Sequence, residues 1–426
     1  MIRRLIAAAV ALLAASTAPA APLDDIAQRY VKMSLEAGER EPGYVDSYYG
    51  PPEWAEAARK APRSFADLRG EAQALARALA AIDPRTLDAM SVRRRAYLQA
   101  QVKAATTRLS MDMGEKFPFQ DEADGLFGVR PQLKPLAAYD PVLARIDRLV
   151  PGPGALADRV DALLDRYIVP ADKVEPVMRA AIAECRARTM RHIALPSDER
   201  FDLGLVTGKS WSGYNWYKGN AHSLIEINTD LPVRIGRAAE IGCHEGYPGH
   251  HVLNMLLERK LARGRGWVEF TINPLFGPQG TIAEGTANYG VHLAFPGEEL
   301  EAFEAKTLFP LAGLDPGEAP RLAALRDAMD ELAGARLTIA EMYLDGKIDR
   351  EQAIALSQKY QLLSRTRAEH GLGFTEQYRS YVINYATGKD MAQAYVERAG
   401  PSPAARWARF EAVISEPTVP ADLLPK

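Results

Sequence analysis

Cysteine is nearly absent: the 426 residues contain two, Cys185 and Cys243. A disulfide framework therefore cannot hold this chain together, although one bridge is permitted in an oxidising compartment. An excess of positive charge is also missing. Lys and Arg number 52 against 55 Asp and Glu, a net charge of −3. That argues against the basic surface with which proteins hold nucleic acid or anionic membranes. There is no long run of like charge and no internal repeat, and beyond the first twenty residues no apolar stretch is long enough to cross a bilayer. Histidine is scarce, with seven in the chain, so where it clusters is informative. What is present is ordinary for a folded protein: 47% apolar and 25% charged residues. The length suits one large domain or two of common size.

The N-terminus reads as a targeting segment. Met1-Ile2-Arg3-Arg4 is a short basic start, Leu5 to Ala15 is unbroken apolar, and Ala18-Pro19-Ala20 is a small-residue cleavage pattern. Residues 1–20 are therefore expected to be a signal peptide, and the mature chain to begin near Ala21, secreted or periplasmic. The apolar run is short for a membrane anchor, and no cysteine stands near the cleavage site to carry a lipid. No stable membrane insertion is expected once it is cleaved.

Residues 21–200 read as a helical region. Ile26, Tyr30 and Met33 recur at helical spacing before Gly38, and Ala/Leu/Arg-rich stretches follow at 65–82 and 86–110. Pro42 to Pro52 reads as a rigid aromatic turn, 115–141 as an irregular connection, and Pro151 to Gly154 as a break between helices. The pattern changes near 201. Phe201 to Val206 and Ser223 to Asn228 alternate like short strands, with an aromatic turn, Trp211 to Tyr217, between them. Helical periodicity then resumes at 235–260 and dominates beyond 281. The expected fold is mainly α, with a small β-sheet or hairpin ahead of a central helix. Residues 201–426 are expected to carry the chemistry, packed with 21–200 as one unit.

Three of the seven histidines fall within eight residues, in His244-Glu-Gly-Tyr-Pro-Gly-His-His251. Imidazoles bind zinc, and a neighbouring glutamate can take a proton from water at the metal. The familiar H-E-x-x-H pattern sets its histidines four apart on one helix face. Here the next histidines come six and seven residues on. Six residues turn to another face, and seven rise ~10 Å. A straight helix cannot bring either to one zinc. Pro248 cannot continue a helix and Gly249 permits unusual backbone, so the pair is expected to bulge and deliver His250 as second ligand. His251 is the alternative. Cys243 could be a soft ligand, but a small buried residue is the simpler reading. The third ligand should lie downstream. Glu284, an isolated acid among small residues, is the best candidate, with Glu269 the runner-up. Glu245 is the expected general base. Arg379, Tyr381, Tyr385 and His222 are candidate donors to a developing oxyanion, with His222 on an edge strand able to align substrate.

These residues resemble a large bacterial family of secreted proteins with an HExxPGHH signature, which carries only a domain-of-unknown-function label. That family is similar to the gluzincin metallopeptidases, in which two His and a downstream Glu hold zinc. Its second motif resembles Glu284-Gly-Thr-Ala-Asn-Tyr289, and a third resembles Tyr381-Val-Ile-Asn-Tyr385-Ala-Thr-Gly388. The resemblance spans about 200–390. It departs where Thr286 replaces a frequent Trp, where Val291 replaces a second Glu, and where a Pro-Gly-Gln-like stretch is missing. It implies a gluzincin-like helical fold, a Zn2+ cofactor, and hydrolysis of a peptide or small amide. The alternatives are a zinc enzyme acting on a non-peptide bond and a non-catalytic periplasmic metal-binding or interaction protein.

Overall fold

The computed structural model describes residues 20–425. The expected signal peptide lies outside the described residues except at its final position. Helices dominate. In the first part they are α1 (Ala20–Arg40), α2 (Pro52–Lys60), α3 (Phe65–Ala81), α4 (Ala89–Asp112), α5 (Phe119–Phe127), α6 (Asp140–Leu149), α7 (Leu156–Asp165) and α8 (Val174–Thr189). Local chemistry explains several of them. In α3 the Ser64 hydroxyl accepts the Asp67 N–H, and Leu68, Ala72, Leu75 and Leu79 line one buried face. Asp88 caps α4 through the N–H groups of Met90 and Ser91.

Two small sheets accompany the helices. Strand β1 (Val45–Tyr48) lies inside the segment read as a turn. It pairs antiparallel with the much later β5 (Ile272–Pro274). A pairing between such distant segments leaves no local signal. The second sheet contains β2 (Arg200–Val206), β3 (Gly213–Tyr217) and β4 (His222–Asn228), in the order β2-β4-β3. Strand β2 runs parallel to β4, and β3 antiparallel to it. The aromatic segment expected to be a turn is thus partly strand. Strand β4 is central, so His222 is not on an edge.

The later helices are α9 (Ala238–Glu245), α10 (His250–Leu257), α11 (Pro278–Ala294), α12 (Glu299–Phe303), α13 (Phe309–Ala312), α14 (Ala319–Asp330), α15 (Ala333–Leu344), α16 (Arg350–Gln361), α17 (Arg365–Tyr378), α18 (Ile383–Glu397) and α19 (Pro403–Ser415). The fold is mainly α, with a small sheet ahead of the His-Glu helix. None of the described helices is long and apolar enough to cross a membrane.

One hydrophobic cluster joins α1, α3 and α4 with Ile272 of β5. The largest draws on α6 to α8 from the first half and on β4, α9 to α11 and α19 from the second. It includes the contact of α8 with α9, where Cys185 and Cys243 form a disulfide. Helices α11 and α18 cross at two glycines. A Cβ on Gly285 would overlap the backbone of Gly388, and one on Gly388 would lie 2.8 Å from the Thr281 carbonyl oxygen. Only glycine at both positions allows this approach. It places the Tyr381-to-Tyr385 segment directly against Glu284.

Candidate metal centre

Helix α9 stops at Glu245 and α10 starts at His250. The break covers four residues, wider than a two-residue bulge. Within it Gly246 N–H donates to the Gly242 carbonyl, and Gly249 N–H to the Cys243 carbonyl, each at 3.1 Å. A Cβ on Gly249 would overlap the His244 carbonyl. Gly249 is therefore needed for close backbone approach, and its φ is negative at −76°. Across the break His250 returns to His244, their ring centroids 4.6 Å apart and nearly perpendicular.

Helix α11 supplies the third group. Glu284 Oε2 lies 3.1 Å from His244 Nε2, and Glu284 Oε1 lies 3.7 Å from His250 Nε2. Glu245 Oε1 is 4.0 Å from His244 Nε2. Ligand atoms of His244, Glu245 and His250 fall within 4.8 Å of one another, close enough to surround one ion. Asn288, one turn beyond Glu284, donates its Nδ2 to the Tyr385 carbonyl at 3.1 Å, so its Oδ1 faces His244 Nδ1 at 3.0 Å as acceptor. That puts the ring proton on Nδ1 and a lone pair on Nε2, as a metal-binding histidine requires. The Nε2 lone pair then faces a carboxylate oxygen, and Glu284 Oε2 is buried with no hydrogen-bond partner. Two acceptors at this distance need a cation between them. Two imidazoles and a carboxylate converging on an unsatisfied oxygen are a donor set that fits a divalent transition metal.

Without such an ion a proton takes its place. Burial disfavours the charged imidazole of His244, but Glu245 and Glu284 outweigh it and raise its pKa to about 9. Burial, helped by the nearby His244 cation, pushes His250 down to about 4 against the pull of Glu284. Burial alone would raise Glu284, but His250, His244 and the Tyr381 hydroxyl hold it at about 2. Glu245 rises to about 7, chiefly through burial, with Glu284 and Asp46 adding repulsion. A metal would displace the His244 proton, so its affinity would rise with pH.

The tyrosines divide. Tyr381 donates its hydroxyl to Glu284 Oε1 at 2.7 Å. Tyr385 stacks toward His244 at 6.5 Å, and its hydroxyl makes no hydrogen bond among the described residues. Burial and the two glutamates keep that hydroxyl protonated, well above the usual phenol range.

Five residues considered for the site are engaged elsewhere. His251 is fully buried. Its Nδ1 meets Ser223 Oγ at 2.8 Å and its Nε2 meets Glu199 Oε2 at 3.1 Å. Both ring nitrogens are occupied, so His251 ties α10 to β4 and is not available as a ligand. Arg379 is engaged by the buried Glu122 at 2.7 Å, and His222 by Asp202 at 2.8 Å, so neither is free to meet an oxyanion. Glu269 is held by Arg94 at 2.6 Å. Cys243, in its disulfide, has no thiolate to offer.

Two neighbours escaped the sequence reading. Asp46 of β1 has a buried, unpartnered Oδ1 and feels the charge of Glu284. Gly213 of β3 abuts Glu245, where a Cβ would lie 3.0 Å from Oε1. Their place in the site depends on strand pairing. The compact Gly43-to-Pro52 segment was the only local sign of Asp46.

No family model matches the chain, and no curated protein is similar to it. Among solved structures, it is similar to a protein from Colwellia psychrerythraea described as a candidate lipoprotein, at TM-score 0.52 and 15% identity, covering 87% of this chain and 70% of that one. An M32 carboxypeptidase from Deinococcus radiodurans matches at TM-score 0.38 and 15% identity, over 93% and 89% of the two chains. A protein named CHT matches at TM-score 0.40 and 10% identity, over 92% and 90%. The first likeness shows a shared fold, and the other two are too distant to bear on function. The resemblance to the HExxPGHH family rests on its motifs alone.

Proposed function

We propose that this protein is a secreted zinc-dependent hydrolase of the metallopeptidase type, acting on small peptides or amides. The observation that carries the reading is the convergence of His244, His250 and the unsatisfied Glu284 carboxylate, with Glu245 beside them. A zinc ion held by those three side chains supplies Lewis acidity, polarising a carbonyl and making water acidic enough to deprotonate near neutral pH. Asn288 holds the His244 ring and Tyr381 holds the Glu284 carboxylate. Glu245 takes the proton from the attacking water and delivers it to the departing nitrogen. The free Tyr385 hydroxyl donates to the oxygen that gains negative charge. A buried Cys185–Cys243 disulfide supports an oxidising, extracytoplasmic location.

The test is metal content followed by activity. Wild-type protein supplied with zinc is expected to retain about one ion per chain, and His250→Ala and Glu284→Ala to lose it. Glu245→Gln is expected to keep the metal and lose peptide hydrolysis. A well-folded wild type that takes up no zinc, or full activity in Glu245→Gln, rejects the proposal.

A further inference from the structure

Arg336 on α15 is a half-buried guanidinium with no carboxylate within ion-pair distance among the described residues. Other buried or half-buried arginines are treated differently. Arg94 meets Glu269, Arg326 meets Glu304 and Arg379 meets Glu122. Arg336 instead lies over two aromatic faces, 5.2 Å from the Phe374 ring centroid and 5.8 Å from that of Tyr385. An arginine removed from water without an anion is costly and seldom kept without a use. Cation–π contact recovers part of that cost and leaves the planar N–H fork free.

Its position suggests the use. Tyr385 neighbours both groups: its ring centroid is 5.8 Å from the Arg336 guanidinium carbon and 6.5 Å from the His244 ring. Arg336 and the candidate reacting centre therefore share one aromatic neighbour. An extended peptide advances about 3.4 Å per residue. An extended peptide bound at the cluster and running past Tyr385 would carry its C-terminal carboxylate toward the guanidinium. The charge is also of the right kind. Glu245, Glu284 and Asp46 make the metal cluster acidic, while Arg336 brings a positive charge to the face of Tyr385, disfavoured there by burial.

We infer that Arg336 binds the C-terminal carboxylate of a short substrate, making the site one that removes residues from, or splits, small peptides with a free C-terminus. This rests on the hydrolase reading of the metal centre. A bidentate guanidinium–carboxylate pair supplies both charge and direction. An amidated or internal peptide would leave Arg336 unpaired.

The test uses zinc-supplied Glu245→Gln protein, which binds without turnover, and two probes: N-acetyl-alanyl-phenylalanine and its C-terminal amide. Calorimetry is expected to show the acid binding about 10-fold tighter or more. Arg336→Met, which retains the stem on the two rings, should abolish the preference, and Arg336→Lys should keep part of it. Equal affinity for acid and amide, no binding of either, or a preference that survives Arg336→Met overturns the inference. Hydrolysis by the protein with Glu245 intact is read separately. Metal-dependent cleavage of acid and amide alike removes the carboxylate pocket and spares the hydrolase. A carboxylate preference without metal-dependent cleavage does the reverse.

Discussion

The bridge between Cys185 and Cys243 joins α8 to the residue just before His244 and closes a separation of 58 residues. Cross-linking restricts the unfolded chain, and the loop-entropy relation for that length gives about 4 kcal/mol of stabilisation near 25 °C. At roughly 2 cal/mol/K of unfolding entropy per residue, this becomes a fall in Tm of about 5 °C when the bridge is removed. The perturbation is the Cys185→Ala/Cys243→Ala variant, compared with wild type before and after reduction. Thiol titration in denaturant should find no free thiol in oxidised wild type and two after reduction, and urea unfolding should then shift to lower midpoint. Both residues are fully buried, so the variant adds a cavity loss to the loop term, and reduced wild type isolates the latter. Two titratable thiols in the oxidised protein, or an unchanged midpoint on reduction, would refute the reasoning.

The two adjacent histidines should separate cleanly. His251→Ala is expected to lower stability by about 2–4 kcal/mol, because it leaves the buried Glu199 carboxylate short of a partner, while zinc binding persists. His250→Ala should lose zinc at smaller cost in stability; urea melts with metal analysis of both variants decide it, and the reverse pattern would make His251 the ligand. Gly285→Ala gains up to about 1 kcal/mol of helix propensity, but its methyl meets Gly388 backbone that cannot swing aside, so a net loss of about 1–3 kcal/mol and weaker zinc retention are expected from melting and metal analysis. Glu199 shows the pH behaviour. Burial raises its pKa, but His251, Tyr247 and Arg186 together lower it from 4.5 to about 2. Its contribution to stability is thus full above about pH 4.5 and fades as pH falls through about 2. Urea titrations across that range should show a slope that Glu199→Gln removes, and an equal slope in the variant would contradict the assignment.

The helices were largely legible because their periodicity and caps are local. Ser64 and Asp88 announce α3 and α4, and the apolar stripe of α3 points one way. The break between α9 and α10 was legible for the same reason, since Pro248 and Gly249 act on neighbouring backbone. Across that break His250 turns toward His244, while His251 turns to Ser223 and Glu199. Strands β1 and β3 were read as turns because their partners, β5 and β4, define them, and composition within four or five residues does not disclose a partner.

The sequence by itself therefore determined the mainly helical class, the broken His-Glu helix and the group of His244, Glu245 and His250, all of which depend on residues close along the chain. Only the tertiary structure decided which distant groups join them. Glu284, Tyr381 and Tyr385 arrive because Gly285 and Gly388 let two helices touch. Arg379, His222 and Glu269 are drawn off by Glu122, Asp202 and Arg94. A side chain's chemistry is written in the sequence, but its availability depends on which opposite charge the fold puts within reach. Arg336 shows the converse, a charge left without a partner, and only packing could reveal that.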